Sequence, residues 1–187
     1  MSFDWNSHLR EQLDWHWRVH FRPRLDGLTD EEYLWEPVPG AWNVRPRGTS
    51  PTSMAAGGGD FTIDWEVPEP SPPPVTTIAW RLGHLIVGVL GMRNAAHFGI
   101  GTTDYLTHAY AGTAAGALAQ LDEAYLTWST GVAALGEEGL RRAVGPAEGG
   151  FAEHPMATLV LHINREMIHH GAEILLLRDL FRRVPPR

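Results

Sequence analysis

The chain has 187 residues, of which 43% are hydrophobic and 20% charged, a composition typical of a folded globular protein. The chain contains no cysteine, which excludes a thiol nucleophile, disulfides and cysteine-ligated metals, so any metal must be held by His, Asp or Glu. It also contains no lysine, which excludes a Schiff-base lysine and a lysine-containing phosphate loop. The net charge of −7 and the lack of a basic run argue against general nucleic-acid binding.

The N-terminal segment shows no sign of a secretory signal. Residues 1–10 are polar and of mixed charge, without the apolar core that a signal peptide requires. The longest apolar stretch, residues 85–92, is far shorter than the roughly 20 residues of a membrane-spanning helix. We therefore expect a cytoplasmic protein that has no membrane partner.

The first half of the chain predicts one long helix, one short helix and a long loop. Helical periodicity runs over residues 5–21, and Thr29 followed by Glu32 is a capping box that starts a short helix. Residues 45–74 are rich in Pro, Gly and Ser, which indicates an irregular surface loop, although the alternation over residues 60–65 permits a small strand.

Three more long helices are predicted in the second half. They cover about residues 77–98, 113–135 and 156–183. Four long amphipathic helices favour an all-α fold, a four-helix bundle formed by a single domain over residues 1–187, with the 45–74 loop between the first and second long helices.

Ionisable residues gather on one face of the fourth helix. At 100° per residue, one arc of about 100° carries five of them, where a bundle helix normally carries apolar residues; these are His162, Glu166, His169, His170 and Glu173. Glu166 and His170 are four residues apart, so their side chains meet and could share a metal ion. His84, flanked by apolar residues of the second helix, is the candidate third ligand.

This donor set suits a divalent transition metal such as zinc, nickel or iron, and three protein ligands leave coordination positions open for catalysis. The alternative is a buried pair, His169 and His170, hydrogen-bonded to the two glutamates without a metal. His16 and His20 form a competing pair on the first helix. They have no carboxylate on their face, so we assign them to packing or pocket lining beside Trp17.

Two segments resemble the signatures of the DinB-like metalloprotein superfamily. Residues 77–85, TIAWRLGHL, are similar to the second-helix signature, in which an aromatic residue precedes a ligand histidine. Residues 165–173, REMIHHGAE, resemble the fourth-helix signature of two ligands separated by three residues. Residues 28–32 followed by residues 40–44 also look like the first connection of the family, so the resemblance spans most of the chain.

The resemblance carries the metal ligands over as His84, Glu166 and His170. Family members usually have histidine at both fourth-helix positions, whereas glutamate followed by histidine is the pattern of the mycothiol-dependent maleylpyruvate isomerase branch, which points to an actinobacterial type. Glu173 stands where the family often has Gln or Asp, so Glu173 and His169 are candidates for an additional ligand or for orienting one.

The resemblance further implies a catalytic role for the metal, for which the donor set favours zinc or nickel above all. We also expect a homodimer, because the eight tryptophans and the apolar helix faces would fit a dimer interface. A low-molecular-weight thiol of the mycothiol or bacillithiol type would be the nucleophile in a transfer or isomerisation of a small-molecule substrate, and Arg81 and Arg165 are candidates to bind this cosubstrate. Two alternatives stay open. One is a metal-dependent hydrolase that uses no thiol, and the other is a non-catalytic dimeric stress-response bundle with a structural metal.

Overall fold

The computed structural model describes residues 3–99 and 101–183, and these are mostly helical. The helices in chain order are α1 (Trp5–Trp15), α2 (Asp30–Leu34), α3 (Ile78–His84), α4 (Met92–Phe98), α5 (Ala114–Arg141) and α6 (Met156–Phe181). Helix α1 is followed by a π-helical segment (His16–Phe21) and a 3₁₀ turn (Arg22–Leu25). A second π-helical segment joins α3 to α4 (Leu85–Gly91), and a 3₁₀ segment precedes α6 (Pro146–Phe151). The predicted helical fold is therefore confirmed in its main feature.

The predicted helix starts agree with the capping side chains of the structure. Thr29 and Glu32 form both hydrogen bonds of the capping box that begins α2. Thr77 accepts a hydrogen bond from the Trp80 amide and begins α3, and Thr113 does the same for Gly116 at the start of α5.

The predicted helix ends need two corrections. Helix α5 was expected to end at residue 135, and the backbone does leave the helical region at Gly136, where φ is 59°, but a further turn continues to Arg141. Helix α6 ends at Phe181, two residues before the predicted end at Arg183.

The 45–74 segment, predicted as an irregular loop, contains three short strands up to residue 65 and no helix or strand over residues 66–74. The predicted helical fold is therefore corrected by the addition of one small sheet. Strands β1 (Val44–Pro46), β2 (Met54–Ala56) and β3 (Phe61–Trp65) form an antiparallel sheet with β3 in the centre. Asp64 is fully buried in β3, and its carboxylate accepts hydrogen bonds from the Asn43 amide, Arg45 Nε and Ser50 Oγ. These hydrogen bonds connect β3 to the residues that precede it. A hydropathy pattern does not reveal them, because their acceptor is an acidic residue.

The sheet lies against α3, and its contacts help to position the site described below. The Trp80 indole Nε1 donates to the Asp64 carbonyl at 2.9 Å, and the Trp65 ring stacks on the Trp80 ring at 6.1 Å between centroids. Strand β3 therefore helps to fix the turn of α3 that precedes His84.

The four long helical segments pack on one another around an apolar core. Helix α1 contacts α5 and α6, while α3 and the π-helical segment after it contact both of these helices. Among the largest fully buried side chains are Leu82, Leu121, Trp128, Ile163 and Met167. None of the helices described has both the length and the apolar character needed to cross a membrane.

Candidate metal centre

His84 lies at the end of α3 in a mostly buried position. Its ring stacks on that of Trp80, one turn earlier, with 5.7 Å between centroids and an angle of 16° between planes. Burial is the main cause that lowers its pKa to about 4, and the neighbouring His170 ring and Arg81 guanidinium act in the same direction. The imidazole is therefore neutral near pH 7 and retains a lone pair for a ligand.

Helix α6 places Glu166 and His170 one turn apart and directed toward His84. Glu166 Oε2 lies 3.4 Å from His170 Nε2, and the His84 and His170 rings meet edge to face with centroids 4.8 Å apart. One ligand atom from each of the three residues lies within 4.8 Å of the other two. Ligand atoms about 2.1 Å from a tetrahedral ion are about 3.4 Å apart, so the distance between Glu166 Oε2 and His170 Nε2 suits two ligands of one ion.

Glu173 holds His170 from the side that faces away from Glu166. Its Oε2 lies 2.7 Å from His170 Nδ1 and also accepts from Arg81 Nε at 3.0 Å. With a proton on Nδ1, His170 donates to this carboxylate and presents Nε2 to Glu166. This arrangement favours the orienting role over the ligand role, both of which the sequence left open.

His169 is the other residue that the sequence offered as an additional ligand. Its side chain is 62% exposed, and its Nε2 lies 3.4 Å from Glu173 Oε1. The structure does bring His169, His170 and Glu173 within metal-ligand range of one another, as a second group that shares His170 with the first. An ion there would compete with the hydrogen bond between His170 and Glu173.

The two arginines predicted to bind a cosubstrate have different surroundings. Arg81 is largely buried, pairs with Glu173 and lies over the Trp80 ring at 5.3 Å. Burial lowers its pKa, although Glu173 opposes this effect. Arg165 is 69% exposed and approaches Glu166 Oε1 at 3.4 Å, so it is the arginine with free donors beside the cluster.

Sequence reasoning missed Tyr105, which contacts the cluster from the connection between α4 and α5. Its hydroxyl lies 2.6 Å from His84 Nδ1, and burial raises the pKa of Tyr105 to about 12. A Cβ at Gly88, one turn after His84, would collide with this hydroxyl, so the glycine makes room for it. Tyr105 lies in an irregular segment without periodicity, and only the path of the chain brings it to His84.

The competing histidines of the first predicted helix are not part of the three-residue cluster. Trp17 is buried and stacks on Tyr125 with centroids 3.8 Å apart, which agrees with a packing role. His20 is exposed and contacts the Trp15 ring, whereas His16 Nε2 is buried without a hydrogen-bond partner among residues 3–99 and 101–183. The pair is not among the metal-ligand groups found in the described residues.

Comparison with known proteins gives one family. Residues 60–174 match the family model described as the DinB superfamily, a stretch that contains β3, the helices α3 to α5, most of α6 and every member of the cluster. No curated protein and no solved structure matches the chain. Members of the superfamily typically bind a divalent metal, and two imidazoles with one carboxylate are a donor set that fits such an ion. Because the match covers more than half of its residues, the chain belongs to the DinB superfamily.

Proposed function

We propose that the protein binds a divalent transition metal, zinc or nickel, through His84, Glu166 and His170, and uses it in catalysis with a low-molecular-weight thiol as the nucleophile. The observation that carries the proposal is the convergence of these three donors, which come from two helices, within 4.8 Å of one another. Burying such polar groups together is costly unless a cation compensates for it.

When bound, a divalent ion with one carboxylate ligand would keep a net charge of about +1, which lowers the pKa of a thiol or of water toward neutrality. The protein's own residues keep the donors in the required state. Glu173 fixes the His170 ring, and Tyr105 does the same for His84 if His84 Nδ1 carries the proton and donates to the tyrosine oxygen.

Two features support a thiol as the nucleophile. The chain contains no cysteine, so a sulfur nucleophile must come from a small molecule. The order of Glu166 and His170 is also that of the mycothiol-dependent maleylpyruvate isomerase branch, which suggests transfer or isomerisation. Because Arg165 is exposed beside Glu166, it is the better placed of the two arginines to bind a carboxylate of a cosubstrate, while Arg81 is engaged by Glu173.

We interpret the packing of the long helical segments as the four-helix bundle of the family, within a single domain. A homodimer and a cytoplasmic location complete the proposal. Sedimentation velocity of the purified protein tests the dimer directly.

Metal analysis of the purified protein and of single variants tests the metal site. H84A, E166A and H170A should each lose stoichiometric zinc or nickel, because the loss of one ligand of three leaves an incomplete coordination shell. H169A is the matched control and should retain the metal. Loss by H169A together with retention by H84A and E166A would transfer the site to the second group of ligands and contradict the proposal. Retention by H170A would contradict both groups, because they share His170.

Activity assays with the metal-loaded protein separate the possible reactions. A panel of electrophiles with and without mycothiol or bacillithiol tests thiol transfer, and simple esters and amides test hydrolysis. Conversion that requires the thiol supports the proposal. Hydrolysis without it would favour the hydrolase, and a metal that raises the melting temperature without any conversion would favour the structural role.

A further inference from the structure

A groove with several basic side chains adjoins the candidate metal centre. It has a volume of about 530 Å³, within the usual range for small-molecule sites, and lies between α4, the first half of α6 and the segment before α6. The polar and charged residues that line it are Arg93, Glu148, His154, Thr158, His162 and Arg165.

One face of α6 lines the groove and also reaches the cluster of His84, Glu166 and His170. Thr158, His162 and Arg165 lie three or four residues apart and therefore on one face of the helix. The last two also approach Glu166 Oε1, at 3.5 Å for His162 Nδ1 and 3.4 Å for the Arg165 guanidinium. A molecule in the groove would therefore lie next to Glu166.

The charge of the groove favours an anion. Among the described lining residues Glu148 is the carboxylate, and it is already held by Arg93 at 3.3 Å and by His97 Nε2 at 2.9 Å. Arg93 donates to the Gly88 carbonyl and to Glu148, and its Nε is buried, so this arginine is engaged within the protein. Arg165 is mostly exposed, and its contacts with His162 and Glu166 use only some of its five donors. Donors of Arg165 therefore remain available in the groove, whereas its acidic group is occupied.

The rest of the lining suits a short apolar body. Val144, Phe151 and Leu159 supply apolar surface, and the Phe151 ring is largely exposed. An exposed aromatic ring beside spare guanidinium donors fits an organic acid better than an inorganic anion, because burial of the organic part adds to the charge interaction.

We propose that this groove binds a small organic carboxylate, with the carboxylate at Arg165 and the apolar part against Phe151 and Leu159. This inference rests on the proposed function in one respect, namely that the bound acid is the substrate or the thiol cosubstrate of the metal centre. Binding of the acid itself does not require the metal.

An NMR titration of the full-length, metal-free protein tests the binding. Hexanoate is the probe, and 1-hexanol and hexylammonium are neutral and cationic probes of the same length. Hexanoate should shift the resonances of residues 144–165 and bind at least about fivefold more tightly than the other two, a modest factor because Arg165 is exposed. Equal affinities, or shifts confined to another surface, would overturn the proposal. Tighter binding of inorganic phosphate than of hexanoate would also overturn it.

Variants of Arg165 make the test specific. R165Q should raise the Kd for hexanoate about fivefold, while R165K, which retains the charge, should stay within about twofold of the unmodified protein. R141Q is the matched control, because the Arg141 side chain is 72% exposed and lies outside the groove. T158W, which fills the groove from an exposed position of α6, should weaken hexanoate binding without lowering the melting temperature. If R165Q and T158W both bind hexanoate like the unmodified protein, the groove is not the site.

The zinc content of the ligand variants, compared with hexanoate binding by the metal-free protein, keeps this proposal distinct from the proposed function. If hexanoate binds the metal-free protein as described while H84A and H170A retain zinc, the groove stands and the proposed metal ligands are wrong. If those variants lose zinc but hexanoate does not bind, the metal centre stands and the groove proposal fails.

Discussion

The carboxylate of Glu173 lies 2.7 Å from Nδ1 of His170, on the side of the ring that faces away from Glu166. The same oxygen accepts from Arg81 Nε at 3.0 Å. A chain of contacts therefore runs from α3 through a carboxylate to an imidazole of α6. It orients the ring that, in the proposed function, binds the metal.

Replacement of this carboxylate should weaken the metal site without removing it. E173Q retains the size of the side chain but loses its charge, and we expect zinc affinity to fall about 10-fold to 100-fold. Chelator competition measures this, with E137Q as a control of similar exposure on α5. If E173Q loses zinc as completely as E166A, Glu173 is a ligand. If it binds zinc like the unmodified protein, its contact with His170 is not functional.

The lowered pKa of His84 predicts a pH dependence of stability in the metal-free protein. Unfolded, His84 takes up a proton near its ordinary pKa of 6.5, whereas in the folded protein it does so only near pH 4. Between these values the unfolded state binds more protons, so the free energy of unfolding should fall as the pH is lowered, by about 3 kcal/mol in all.

Urea denaturation at several pH values between 4 and 7, with H84Q as the comparison, measures this dependence. The variant should lose that part of the slope that belongs to His84. A slope that H84Q leaves unchanged would mean that other groups cause the pH dependence.

Gly88 should be intolerant of a side chain because of Tyr105. G88A places a methyl group where the tyrosine hydroxyl lies and 3.2 Å from His84 Nδ1. We expect a loss of about 1–3 kcal/mol in the free energy of unfolding, from overpacking, together with weaker metal binding because Tyr105 is displaced from His84.

G150A is the control, since a Cβ there meets nothing within 4 Å and the change should stay within about 0.5 kcal/mol. Y105F separates the two effects, because it removes the hydroxyl without adding bulk to the helix. Normal metal affinity in both G88A and Y105F would show that Tyr105 does not support His84.

Asp64 should be the most sensitive residue of the small sheet. Its buried carboxylate accepts from the Asn43 amide at 2.9 Å, from Arg45 Nε at 2.8 Å and from Ser50 Oγ at 2.6 Å. D64N keeps the shape but leaves Arg45 without this ion-pair partner, and we expect a loss of about 2–4 kcal/mol in the free energy of unfolding. Thermal or urea denaturation measures the loss, and D60N, at an exposed position before β3, should be nearly neutral. A neutral D64N would show that packing alone holds the segment.

Much of the fold could be predicted because its signals are local. The capping threonines Thr29, Thr77 and Thr113 each lie next to the helix that they begin, and their hydrogen bonds reach only three residues along the chain. The central strand β3 was also visible, through its alternation. Its partners β1 and β2 were not, because their three residues each carry no pattern of their own.

The candidate site also has residues that the sequence predicted and contacts that only the structure shows. The spacing of Glu166 and His170 places both on one turn of α6, which the sequence alone determined because helical geometry fixes such neighbours. The apolar residues around His84 made it the candidate third ligand, and the resemblance at residues 77–85 pointed to the same residue. The structure brings its ring to 4.8 Å from the His170 ring, measured between centroids. Whether these three hold a metal is the subject of the proposed experiments.

The sequence by itself therefore determined where the long helices lie, which of their faces is polar, and that any metal must be bound by His, Asp or Glu. Only the tertiary structure decided that Tyr105 contacts His84, that Glu173 contacts the far side of His170, and that three short strands within residues 44–65 form a sheet against α3. The physical reason is the distance along the chain over which each kind of interaction acts. Periodicity and capping act over a few residues, whereas these contacts join segments whose approach depends on the packing of the whole chain.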